Sequence, residues 1–86
     1  MIELDEVKAF LRIDFDDEDG YISVLILLAK EMTLNYLREQ ELPIELPISI
    51  KQAIFLIVAH FYENRDGKPV PNVIFRLLDP YRKEQF

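Results

Sequence analysis

The chain contains no cysteine. That excludes a disulfide framework and a thiolate metal site, and it fits a reducing compartment. Glycine occurs only twice, at Gly20 and Gly67, so no phosphate-cradling loop can be assembled. The longest apolar runs, 24–29 and 53–59, fall far short of the ~20 residues that span a bilayer. The first six residues are acidic and apolar, without the basic n-region of a signal peptide. Histidine occurs once, at His60. With Glu63 it makes a single pair at i, i+3, and one such pair does not make a metal centre. Ser23 and Ser49 lie in helical contexts and lack a nucleophile elbow. No constellation supports an enzyme, and no cofactor or metal is expected.

What is present is apolar and charged in globular proportion: 50% hydrophobic and 30% charged residues over 86 positions. The length predicts one domain, 1–86. A chain this short buries only roughly 60–65% of its unfolded surface. The net charge of -6 is unevenly placed. Residues 1–20 carry eight acids and two bases, whereas 21–86 balance to zero. Tight nucleic-acid binding through a basic footprint is therefore disfavoured.

The apolar spacing of Leu4, Val7, Phe10 and Leu11 predicts a short first helix over 4–11, with 12–15 as connector. A second helix is expected over about 16–39. Asp16 or Asp17 serves as its N-cap, and Glu18 and Asp19 fall in a first turn where the macrodipole favours carboxylates. Its main apolar stripe reads Tyr21, Leu25, Leu28, Ala29, Met32 and Tyr36. Pro43 and Pro47 make 40–47 a linker. A third helix follows over about 49–64, beginning near Ile48 or Ser49, with Ser49 a good N-cap. Asn72 caps a fourth over 73–78, which Asp79-Pro80 stops. Residues 81–86 form a mixed-charge tail. No period-2 strand pattern is convincing. The fold class is all-α, a small bundle of three to five helices, with the long second helix packed on a central apolar third helix.

The acidic run 14–20 invites comparison with a calcium loop. With Gly20 at the loop's glycine position, Phe15 opens the loop and Ile26 closes it, so the pattern fails. Helix capping accounts for those carboxylates better. The third helix is the more telling segment. Ile50, Ile54, Ile57, Val58 and Phe61 share one face at ~100° per residue, while Phe55, Ala59 and Tyr62 turn away and Leu56 points to another side. A helix apolar all round must be surrounded by protein or lipid. The expectation is that part of the second and third helices faces a neighbouring subunit.

Taken in order, four segments resemble the small head-tail connector proteins of long-tailed bacteriophages and prophages. They are the opening Leu4-Asp-Glu-Val-Lys-Ala-Phe-Leu-Arg-Ile13, the acidic Asp16-Asp-Glu-Asp19, and the stretch Ile50-Lys-Gln-Ala-Ile-Phe-Leu-Ile-Val-Ala-His-Phe-Tyr-Glu-Asn-Arg65. The last is 71–78 followed by Pro80-Tyr-Arg82. The resemblance spans residues 3–82. It implies a helical, non-enzymatic virion protein at the head-tail junction, assembled in the bacterial host cytoplasm. It also implies a ring, about twelve-fold like the portal, that docks beneath the portal after DNA packaging. Such a ring extends the DNA channel and receives the next head-completion or tail protein. DNA passes without sequence-specific binding, and no membrane is involved.

A ring of identical subunits needs two different faces. Val24, Leu27 and Leu34 on the second helix, and Phe55 and Leu56 on the third, are candidates for them. Tyr62, Tyr81 and Arg82 are further interface candidates. Asp16, Asp17, Glu18 and Asp19 are candidates either for contacts to a neighbour's Arg or Lys or for lining the channel. The alternative is a small helical DNA-packaging accessory or DNA-binding protein, which should carry a basic recognition helix. No helix here is clearly basic.

Overall fold

The computed structural model describes residues 2–82. Among them there are helices and no strand. In chain order they are α1 (Leu4–Leu11), α2 (Asp19–Leu37), α3 (Ile48–Glu63), α4 (Asn72–Arg76) and a terminal 3-10 turn, Asp79–Tyr81. The expected tail falls partly outside this range, since only its Tyr81 and Arg82 are described.

α1 keeps the expected bounds. Glu6 reaches back so that the Glu3 N–H donates to its Oε1 at 3.2 Å, satisfying a free amide of the first turn. The helix ends at Arg12 in the left-handed conformation, φ 60°. The N–H of Arg12 then reaches Ala9 O, and that of Ile13 reaches Lys8 O at 2.9 Å. This pair of bonds closes the last carbonyls as a Schellman motif. α2 ends the same way at Arg38, φ 61°, with Glu39 N bonded to Leu34 O at 3.1 Å. Each motif therefore places an arginine where glycine is the cheaper residue.

α2 starts later than the sequence suggests. A turn from the Asp16 carbonyl to the Asp19 N–H precedes it, and neither Asp16 nor Asp17 is the N-cap, a position held by Glu18. The reason is electrostatic: Asp16 and Asp19 are both turned onto Lys8 of α1. The buried stripe is also rotated from the expected one. Ile22, Leu25, Ile26, Ala29, Thr33 and Leu37 face the core, whereas Tyr21 and Leu28 stand exposed. α2 is apolar on so many sides that periodicity alone does not select the inward one.

α3 begins at Ile48 after Pro47, one of the two expected starts, and Ser49 sits inside the helix rather than capping it. Pro47 is well suited to precede a helix, having no N–H to leave unsatisfied. The inward face is Ile50, Ala53, Ile54, Ile57 and Val58. It packs chiefly on α2, with α1 and α4 against it as well. α4 is shorter than expected, and Pro80 lies within the 3-10 turn that follows it. Leu78 is fully buried and fastens this end to the core, which runs from Ile2 and Val7 through α2 and α3.

α3 is clothed more completely than its sequence suggests. Phe55 and Leu56 are half-buried against the core. Phe55 meets the ring of Phe10 at 5.3 Å, and Tyr62 faces Tyr21 at 6.5 Å. The exposed apolar surface lies largely elsewhere: on α2, in the α2–α3 loop and its junction with α3, and on α4.

Candidate functional site

The acidic segment is built from the inside. Lys8 Nζ, on a side chain that is almost entirely buried, lies 2.7 Å from Asp16 Oδ1 and 2.8 Å from Asp19 Oδ1. Hydrogen bonds donated by the ammonium to the two carboxylates, Asp16 first, hold the lysine well above its ordinary pKa. The same bond pulls Asp16 below the usual carboxylate range. Glu18 accepts from Tyr62 Oη at 2.6 Å and from the guanidinium of Arg65. These bonds, Tyr62 first, depress its pKa, and Glu18 in turn raises that of Tyr62. The Arg65 guanidinium also lies over two rings, 4.6 Å from Tyr21 and 5.2 Å from Tyr62. Cation–π attraction and charge pairing thus tie the start of α2 to the end of α3.

Of the four candidate channel or contact carboxylates, Asp16, Glu18 and Asp19 are engaged inside the chain. Asp17 is exposed and has no ion-pair partner among the described residues. The sequence could not show this, because Lys8 and Arg65 lie eight or more positions from the groups they hold.

Two further clamps shape the surface. Glu6 of α1 pairs with Lys51 of α3, whose ammonium sits 5.8 Å over Phe55; that hydrogen bond is the main reason the Glu6 pKa is lowered. Tyr36 donates to Asp79 and stacks on Phe75 at 5.1 Å. Arg82 covers the other part of this group. Its Nε donates to Tyr36 O at 3.1 Å, and its guanidinium lies 4.5 Å from the Tyr36 ring. Arg82 is exposed at its edge but anchored, and Tyr81, also exposed, borders a groove with Leu37, Pro43 and Ile50.

The candidate contact residues on α2 are the freest. Val24 is 59% and Leu27 66% exposed, while Leu34 is half-buried. Sequence reasoning missed Ile44 and Ile48, exposed at the α2–α3 junction, and Val73 on α4. Pro43 and Pro47 flank the first of these, but a loop has no periodicity to say which side chain points outward.

No group of three or more His, Cys, Asp or Glu side chains converges among the described residues. His60 Nε2 is bonded to Lys68 O at 2.8 Å, and its ring meets Phe61 edge-on. No helix of the described residues is long and apolar enough to cross a membrane.

Helices closed over one core define a small all-α module. Residues 1–73 match the model of the phage gp6-like head-tail connector protein family. The chain belongs to that family, and with it to the structural proteins of the virion that meet other phage head and tail proteins. Neither the curated proteins nor the solved structures gave a match.

Proposed function

We propose that this chain is one subunit of a ring that joins the portal at the capsid vertex to the tail and extends the DNA channel. The whole of 1–86 acts as a single connector domain. Its partners are further copies of itself, in a number near the portal's roughly twelve-fold symmetry, the portal, and the next head-completion or tail protein. It is assembled in the bacterial cytoplasm and ends at the head-tail junction. It acts by contact and not by catalysis.

The observation that carries this reading is the pair Val24 and Leu27. They leave an apolar face on α2 after the core has closed, and a face of that kind marks a protein contact. The edges of Leu34, Phe55, Leu56, Tyr62, Tyr81 and Arg82 extend the candidate contact surface. Asp17 and the paired Asp16, Glu18 and Asp19 give a channel or neighbour contact its acidic character. A DNA reader would gather cations on one helix. Here Arg12, Lys30, Lys68 and Arg76 lie on four different segments.

Light scattering over a concentration series, with electron microscopy in the presence of the portal, tests the ring. Closed rings seated on the portal are the expected result. Small non-ring species at every concentration, with portal present, would overturn the proposal.

A further inference from the structure

At ~100° per residue, Val24, Leu27, Leu28 and Glu31 fall within one arc of α2, opposite the arc of Ile22, Ala29 and Thr33 that enters the core. Val24 and Leu27 are mostly exposed, Leu28 is 37% exposed, and Glu31 is exposed. The patch is therefore apolar with a carboxylate at its C-terminal end. α4 carries the electrostatic complement. Val73, 65% exposed, Arg76 and Leu77 stand at i, i+3 and i+4 and share a face. This second patch is apolar with a guanidinium beside it. Neither Glu31 nor Arg76 has an ion-pair partner among the described residues.

We infer that the outer face of α2 in one copy docks on the α4 face of the next, with Glu31 against Arg76. The occupant of each patch is thus a second copy of this chain. Charge decides between this and the pairing of two α2 faces, because a second α2 brings another Glu31 to the contact and no exposed cation on that arc. The contact is heterologous, so every copy offers one patch on each side and association propagates into a ring or an open chain. Each patch is only three or four side chains, against the roughly 20–30 residues a side of a standard stable interface. A single contact is accordingly weak, and copies collect only when concentrated or gathered on a partner. The inference rests on the ring reading above.

Because the chain has no cysteine of its own, single thiols report this contact directly. Asn35→Cys, exposed on the same arc one turn past Glu31, and Asn72→Cys, exposed beside Val73, border the two patches without removing their apolar side chains. The two variants are mixed in equal amounts and treated with a short bismaleimide over a concentration series. The expected product is a mixed dimer with little homodimer of either variant, and a chain bearing both thiols gives a ladder. Adding Glu31→Arg to the Asn35→Cys chain should lower the mixed yield roughly threefold, the scale of an exposed ion pair. Adding Arg76→Glu to its partner should restore it. Homodimers of Asn35→Cys equal in yield to the mixed product would overturn the α2–α4 pairing. So would rings of the unmodified chain on the portal without any mixed cross-link, and that outcome leaves the ring itself standing. Absence of both cross-links and rings would remove both.

Discussion

Leu27→Gln separates folding from assembly. Leu27 is 66% exposed in the single chain, so about one-third of its surface is already in contact. Glutamine is nearly as good a helix former as leucine, and a surface change of this kind alters stability within about 0.5 kcal/mol. For a domain of this size that is a shift in Tm of at most ~4 °C. Full burial of a leucine side chain is worth about 1.5–3 kcal/mol. The two-thirds still open in the free chain therefore represent about 1–2 kcal/mol for each contact that covers Leu27. Removing that much weakens each contact roughly 5- to 30-fold. Thermal unfolding by circular dichroism measures the first effect, and sedimentation with the portal measures the second. Ile57→Ala is the contrasting variant: Ile57 is completely buried, and its truncation should cost about 2–5 kcal/mol of folding stability. Unchanged assembly by Leu27→Gln, or a Tm loss as large as that of Ile57→Ala, would refute the reasoning.

Thr33 is fully buried and its hydroxyl has no hydrogen-bond partner among the described residues. Thr33→Val should therefore raise stability by about 1 kcal/mol in urea unfolding, the scale of an unsatisfied buried group; a loss would show that the hydroxyl is bonded. Gly20 lies in the first turn of α2 with open space where a Cβ would stand, and Gly67 has φ +82°. Gly20→Ala should gain about 0.5–1 kcal/mol, whereas Gly67→Ala should lose about 1 kcal/mol; equal signs from the two would contradict the backbone assignment. Acid should unfold the protein through Glu6, Asp16 and Glu18, whose pKa values are lowered by Lys51, Lys8, and Tyr62 with Arg65 respectively. Carboxyl groups depressed on folding contribute fully above their unfolded values, near 4, and that contribution is lost as pH falls through the folded ones. Urea midpoints should be flat from about pH 7 to 5 and fall below about 4, and Asp16→Asn should flatten the curve.

The helices were legible where local signals are strong. Leu4, Val7 and Leu11 fix α1 by spacing alone, and Pro47 together with Asp66-Gly67 brackets α3. The direction in which α2 faces was not legible. Tyr21 and Leu28 are apolar enough to belong in a core, and Thr33 is polar enough to be placed outside, yet the packing of α3 reverses these roles. Capping at Asp16 or Asp17 failed for a related reason. A carboxylate free to cap an amide is equally free to meet a buried ammonium, and Lys8 offers the stronger partner. The acidic segment was visible as composition, but its pairing depends on Arg65, which only the turn of the chain after α3 brings near. On α2, Val24 and Leu27 stay exposed after the core has closed. On α3 the apolar surplus is half covered by Phe10 and by the core.

The clamps at Lys8, Lys51 and Arg65 have a consequence for how copies feel one another. Each holds a cation against carboxylates of its own chain. Lys8 is buried in its pairing, Lys51 and Arg65 stay partly exposed beside their carboxylates, and the chain keeps its net charge of -6. Subunits brought side by side therefore meet an unfavourable long-range field before any apolar contact forms. Salt shortens that field to a Debye length of about 8–10 Å near physiological strength. Added salt should accordingly promote association of this protein with itself, the opposite of what it does to a protein held on DNA by released counterions. The ionic strength of the medium becomes a dial for assembly, set by the sixteen acids that stand against ten bases in each copy.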